Sequence, residues 1–254
     1  MVVFQKTTIF GCISKNNRFW LYYSNNICIF APKTIIEKKI MEIKAVLTGD
    51  IVNSEQIAIE QRSMLLQAIR DIENIHEWSP ISIDLYRGDS FQIVLGNPSM
   101  ALLIATMIRA YLLSNTPNDS PILWDARISI GIGTVSYIDN RIVTSDGEAF
   151  RLSGRRLDTI GKDRLVAETC WEDVNQELNA VLPFIDDLIS GLTPIQAKLT
   201  FLSVAKQLPQ TDIANRLGKS QQSVSKILVA AKENLLSPYL NRFETLITTH
   251  ISQL

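Results

Sequence analysis

The spacing of apolar residues changes several times along the chain, and each change marks an element. Ile43-Lys44-Ala45-Val46-Leu47 is a dense apolar run that breaks at Gly49-Asp50, which predicts a buried strand ending in a carboxylate. From Glu55 to Ile75, the residues Ile57, Leu65, Ala68, Ile69, Ile72 and Ile75 recur at steps of three and four, the stripe of an amphipathic helix. Ile81 to Leu85 and Phe91 to Leu95 then flank Tyr86-Arg87-Gly88-Asp89-Ser90, a hairpin with Asp89 at its tip. Pro98 opens a second helix running to Ser114, followed by loop to Pro121. Ala126, Ile128, Ile130 and Ile132 alternate with Arg127, Ser129, Gly131 and Gly133, a strand of period two. Its glycines leave one face without bulk, as where a ligand or another backbone comes close. A helix from Glu148 to Leu157, a strand from Arg164 to Glu168 and a long helix from Glu172 to Ser190 follow.

This order of strand, helix, hairpin, helix, strand, then helix and strand is a split βαβ pattern. It predicts an α+β, ferredoxin-like sheet with helices on one face over residues 41–170, with 171–190 as a linking helix. Residues 191–254 read as a separate all-α domain. Pro194 sits at a helix start, a position proline favours. Thr211 to Leu228 places Gly218 in a tight turn between two short helices, a helix-turn-helix. Ile213, Ala214 and Leu217 of the first helix would face Val224, Ile227 and Leu228 of the second, and Ser220 would cap the latter. Residues 1–40 fit neither pattern. Phe19 to Tyr23 and Ile27 to Phe30 are short apolar bursts split by Ser24-Asn25-Asn26, so this segment is expected to be a poorly ordered extension, with Met41 as the natural start.

Composition narrows the classes. At 254 residues and 46% apolar content the chain can bury a full core. No apolar run approaches the roughly 20 residues that a membrane span needs. The net charge of -1 hides a segregation: residues 1–40 carry six Lys/Arg and one Glu, and residues 191–254 carry seven Lys/Arg and three Asp/Glu, so the middle is strongly acidic. A compact basic tail suits nucleic-acid contact, and an acidic body suits cation binding. Three cysteines without C-x-x-C spacing and two histidines argue against structural zinc and against a disulfide framework, which points to a reducing cytoplasm.

Two Gly-Asp pairs at strand ends, with Asp50 and Asp89, suggest a shared site for a hard divalent cation, Mg2+ or Mn2+, which takes oxygen ligands and keeps water or phosphate in its shell. Each pair alone is also an ordinary turn dipeptide. Arg151 and Arg155 lie four apart on one helix face and can clamp a polyphosphate, or equally form a solvated face paired to Asp146, Glu148 or Asp158. On the second helix of the tail, Gln221, Gln222, Ser223, Ser225 and Lys226 point outward: Gln can pair with adenine and Lys226 can meet phosphate. Such tri-helical units also serve as protein-docking modules.

Gly49-Asp50-Ile51-Val52 resembles the first metal-binding strand of class III nucleotidyl cyclases, and Arg87-Gly88-Asp89-Ser90-Phe91 resembles their second metal hairpin. Arg127 to Gly133 is similar to their central strand, and Asp146-Gly147 with the helix to Leu157 to the segment carrying their transition-state residues. The resemblance implies two metal ions on Asp50 and Asp89, a transition-state role for Arg155, and sites completed across a homodimer. This chain departs from the pattern: Arg151 stands where the family has asparagine, and Leu85 and Thr144 stand where it reads adenine, so ATP specificity does not carry over. The whole of 41–236 resembles the bacterial SatD family. The expectation is a cytoplasmic, homodimeric DNA-binding regulator whose cyclase-like body binds a metal-nucleotide or other phosphorylated ligand. The alternative is an active metal-dependent nucleotide cyclase or related phosphoryl-transfer enzyme with the helix-turn-helix as an accessory module. A scaffold that has kept the fold and lost both activities is the third reading.

Overall fold

The computed structural model describes residues 42–75, 81–86, 88–137, 142 and 145–254, together with the backbone of 11–15, 18–22 and 28–31. The chain divides into two units, 1–41 and 42–254. In the first, strands β1 (Gly11–Lys15), β2 (Arg18–Tyr22) and β3 (Cys28–Ala31) form an antiparallel sheet in that order; the rest of the segment expected to be poorly ordered lies outside the described residues.

The second unit is built on β4 (Glu42–Ile51), the strand read from the dense apolar run. It sits between β6 (Ser90–Leu95) and β7 (Ala126–Tyr137), antiparallel to both. β5 (Ile81–Tyr86) pairs with β6 to close the hairpin, and the two-residue β8 (Asp146–Gly147) edges β7. β9 (Leu165–Thr169) runs parallel to β7. The strand order is therefore β5-β6-β4-β7-β8, with β9 beside β7.

Helix α1 (Ile59–Asp71) follows a short 3-10 turn at Ser54–Gln56. The continuous stripe from Glu55 to Ile75 is thus split into turn, helix and a second 3-10 turn at Ile72–Asn74. Its apolar positions Ile57, Leu65, Ala68, Ile69, Ile72 and Ile75 are nonetheless all buried. Helix α2 (Ala101–Ser114) starts after a 3-10 turn that Asn97 caps by accepting from the Ser99 amide. Both helices, with α4 (Glu172–Ser190), cover one face of the sheet, where Ala45 and Leu47 of β4, Ile93 of β6 and Ile128, Ile130 and Ile132 of β7 point.

The expectation of helices on a single face is corrected by α3 (Glu148–Asp158). The alternate residues Val46, Val94 and Val135 point to the opposite face and pack with Ala149 and Phe150 of that helix. The bare side of β7 makes this possible. A Cβ on Gly131 would collide with the carbonyl oxygen of Ala149 and the amide of Ser153, so the helix backbone lies directly on the strand. Thr48 and Ser153 share a hydrogen bond of 2.9 Å across the contact, and Gln92 donates to Thr48 at 3.1 Å. Polar residues on this face therefore meet each other rather than solvent.

The C-terminal helices continue the same unit. Thr193 and Gln196 form a capping box at the start of α5 (Pro194–Thr200), which passes through a π-turn at Phe201–Ala205. Helices α6 (Gln210–Leu217) and α7 (Gln221–Ala230) are joined through Gly218 at φ 62°, a left-handed position that glycine adopts without strain. Ile213, Ala214, Val224 and Leu228 are buried with Leu199 and Leu202, and Leu217 and Ile227 pack against them. Helix α8 (Glu233–Ser252), which carries Pro238 inside it, lies in the segment read only as all-α from the sequence. It buries Leu236, Leu240, Phe243, Leu246 and Ile247 in the main core, alongside the residues of α4. The linking helix expected at 171–190 is itself part of that core, through Val174, Leu178, Leu182, Ile185 and Ile189. Among the described residues, no helix is long and apolar enough to cross a membrane.

Candidate functional site

Register brings the candidate residues of the sheet together. Asp50 of β4 stands opposite Ser90 of β6 on one side and opposite Arg127 of β7 on the other. The Ile51 amide donates to the Asp89 carbonyl at 2.9 Å, which holds the hairpin tip against the end of β4. Asp50 and Asp89, expected as metal ligands, therefore line one cleft of about 520 Å³, a size typical of small-molecule sites. Ser54, Arg127, Lys162 and Arg164 also line it. Because β4 alternates, Asp50 lies on the same face as Val46 and Thr48, and the cleft opens just beyond the part of that face that α3 covers.

Each carboxylate already has partners. Arg127 meets Asp50 as a fork, Nε to Oδ1 at 2.8 Å and Nη2 to Oδ2 at 2.7 Å. The bond to Asp50 raises the Arg127 pKa. Asp89 accepts from the Ser54 hydroxyl at 2.8 Å and the Ser90 hydroxyl at 3.2 Å. Asn53, in the left-handed region at φ 52°, turns the chain so that Ser54 faces Asp89. The donor set fits a hard divalent cation in kind: Mg2+ is commonly held by one or two carboxylates, with phosphates and water supplying the rest. Among the described residues no group of three or more Asp, Glu, His or Cys is gathered for a metal.

Arg164 ties the cleft to a buried ion network. Its Nη1 donates to Asp125 Oδ2 and its amide to Asp186 Oδ2, both at 2.7 Å. Arg109, wholly buried on α2, donates through Nε and Nη2 to both oxygens of Asp125 at 2.8 Å, through Nη1 to Asp186 at 2.6 Å and through Nη2 to Ser190 at 2.8 Å. Burial opposes the Arg109 charge, but Asp125 and Asp186 outweigh it and its pKa is raised. Arg109 falls within the helix expected from Pro98 to Ser114, and nothing in the sequence around it signals this network. Arg127, Lys162 and Arg164 were equally invisible as cleft residues, since only pairing between distant strands and loops brings them there.

The arginine pair lies elsewhere. Arg151 is exposed and bonds Asp146 at 3.0 Å, the surface pairing that was the alternative to a phosphate clamp. Arg155 is exposed and its Nε donates to the Arg151 carbonyl at 3.3 Å. Neither lines the cleft. Leu85 sits in β5 opposite Phe91, and Arg87 and Thr144 lie outside the described residues.

On α7, Ser220 accepts from the Ser223 amide at 3.2 Å and so caps the helix. Gln221, Gln222 and Lys226 are exposed, and Ser223 and Ser225 are half-buried. Gln221 donates to Gln210 of α6 at 2.9 Å. Val229 is 67% exposed and extends the row of Gln222 and Lys226 by a further helical step, an apolar position that the sequence reading passed over. Arg216, Lys219 and Lys232 are also exposed around these helices.

No family model matches the chain, and no curated protein matches it. Among solved structures it is similar to a bacterial light-regulated adenylyl cyclase, at 13% identity and a TM-score of 0.37 over 50% of this chain and 43% of that one. It is also similar to the active GGEEF domain of a diguanylate cyclase from Vibrio cholerae, at 15% identity and a TM-score of 0.38 over 52% of this chain and 85% of that one. A second light-regulated adenylyl cyclase structure gives 14% identity and a TM-score of 0.36. The chain thus spans less than half the length of the adenylyl cyclases. Likenesses at this level establish no family membership and no activity.

Proposed function

We propose that the protein is a DNA-binding regulator whose body binds a metal-nucleotide or other phosphorylated ligand. The observation that carries this reading is the outward row of α7. A Ser-capped helix follows a left-handed glycine, is braced from behind by its own apolar cluster, and presents Gln221, Gln222 and Lys226 to solvent. That is the form of a recognition helix in a helix-turn-helix: glutamine reads adenine in the major groove, Val229 can meet a thymine methyl, and the surrounding lysines and arginine meet phosphate. A homodimer would set two such helices about one DNA turn, roughly 34 Å, apart.

The cleft supports the ligand half of the proposal. Lys162 and Arg164 can take phosphate oxygens, while Asp50 and Asp89 can hold Mg2+ or Mn2+ that offsets phosphate charge. The order β5-β6-β4-β7, with β4 between the hairpin and β7, supports a ferredoxin-like body of the cyclase kind. The catalytic alternative needs Arg155 at the phosphate, yet in this chain Arg155 bonds back to its own helix away from the cleft. It would have to come from a second copy. That is where the resemblance itself puts it, so the place of Arg155 favours neither reading; binding is preferred to turnover because Arg151, Leu85 and Thr144 depart from the residues that the resemblance calls for.

Selection of bound sequences from a random duplex pool, followed by titration at stepped salt, tests the DNA reading. Lys226→Ala is expected to weaken all sequences alike and to lower the slope of log K against log salt by about 1. Gln222→Ala is expected to cost about 1–3 kcal/mol on the selected sequence only. Absence of salt-dependent binding to any duplex overturns the proposal.

A further inference from the structure

We propose that Arg127 is a resident counter-ion on Asp50, and that a divalent cation enters the cleft only by displacing its guanidinium. This rests on the reading of the cleft as a cation site and adds a gate to it. Three observations lead there. The pairing is imposed by register, since Asp50 and Arg127 are direct cross-strand partners and not neighbours that drift together on a loop. The fork engages both carboxylate oxygens, at 2.8 and 2.7 Å, and sets a full positive charge against the group that a cation would have to approach. The two carboxylates also differ: among the described residues, Asp89 accepts from the neutral hydroxyls of Ser54 and Ser90.

A rotating hydroxyl can turn away from an arriving cation, whereas a guanidinium cannot shed its charge and must leave. It has somewhere to go. The Arg127 side chain is 41% exposed against 21% for Asp50, so its head can swing into the open cleft while the carboxylate stays in place. Asp89 is then the open half of the cation site and Asp50 the guarded half. Affinity for a bare cation is set by the competition at Asp50.

The test is binding of Mn2+ alone to the full chain, read as loss of the free-ion electron paramagnetic resonance signal, for the wild type, Arg127→Gln, Asp50→Asn and the double variant. Arg127→Gln is expected to bind Mn2+ about tenfold more tightly than the wild type, the equivalent of about 1.4 kcal/mol. The Asp50→Asn change is expected to erase that gain. Equal Asp50-dependent affinity in the wild type and Arg127→Gln overturns the gate and leaves the cation site standing. A gain that survives Asp50→Asn also overturns it, because the cation is then held elsewhere. No Asp50-dependent binding in any variant overturns the cation site and the gate together. Thermal melting checks that each variant folds. If Arg127→Gln does not, Arg127→Lys serves: an ammonium keeps the charge but cannot fork both oxygens, so its affinity is expected above that of the wild type by less than tenfold, and no change from the wild type counts against the gate.

Discussion

Replacing Arg109 by leucine is the sharpest probe of what positions the cleft. The side chain is fully buried and makes four hydrogen bonds, two to Asp125, one to Asp186 and one to Ser190. Removing one member of a buried ion pair costs about 3–5 kcal/mol, because the partner charge stays buried without compensation. Here the loss is partly cushioned. Asp125 keeps Arg164 at 2.7 Å and the Ala126 amide at 2.8 Å, and Asp186 keeps the Arg164 amide at 2.7 Å. The expected cost therefore sits at the low end, about 3 kcal/mol. For a unit of this size it corresponds to a fall in Tm of about 6–12 °C. Urea unfolding followed by circular dichroism measures it, with Arg109→Leu/Asp125→Leu as the companion. The double variant is expected to be less destabilised than Arg109→Leu, since it removes the buried carboxylate that Arg109→Leu deprives of its two-bond partner, and Arg164, 37% exposed, can turn to solvent. A loss below about 1 kcal/mol for Arg109→Leu, or simple additivity in the double variant, would refute the reasoning.

Two further outcomes follow from α8 and α3. His250 offers both ring nitrogens to acceptors, Nδ1 to the Leu246 carbonyl and Nε2 to Asp173, each at 2.9 Å, an arrangement that only the protonated ring satisfies fully. Its pKa is raised by the Leu246 carbonyl and then by Asp173, and that of Asp173 is lowered by the bond to His250. Stability from His250 is thus complete below the ordinary histidine range, about 6.5, and lost as pH rises through the raised value; stability from Asp173 is lost at the acid end as pH falls through the lowered one. Tm of the wild type should fall from pH 6 to pH 8, and His250→Gln should flatten the profile; parallel profiles would refute the assignment. Gly131→Val should cost about 3 kcal/mol in urea unfolding, the upper end of overpacking penalties, since its new atoms meet the backbone of α3 and not a side chain that can rotate away. A change below about 1 kcal/mol would show that α3 can shift at little cost.

Much of the architecture was legible locally. The dense run before Gly49, the stripe from Ile57 to Ile75 and the alternation from Ala126 to Gly133 each mark an element, because burial leaves a period of two or about 3.6 in the sequence. The six apolar positions of α6 and α7 fell in register for the same reason: their contacts span a few residues across one glycine turn. Even the bare side of β7 announced a close approach, though not that α3 would make it. Element ends were less legible, and α8 tolerates Pro238 where Leu236, Leu240, Phe243, Leu246 and Ile247 are buried together, since packing overrides the propensity of proline against helix.

The site itself divides along the same line. Asp50 and Asp89 stood out because a Gly-Asp pair at a strand end is a local signal. Their partners did not: Arg127 reaches Asp50 across 77 residues of sequence, Arg109 reaches Asp186 across another 77, and Arg164 reaches Asp125 across 39. Sequence by itself determined where the main strands and helices of the body lie and which of their residues are apolar enough to be buried. Tertiary structure decided which charge each carboxylate meets, because strand register and helix docking are set by the burial of whole faces, and a polar residue carried on such a face acquires its partner from wherever that burial puts it.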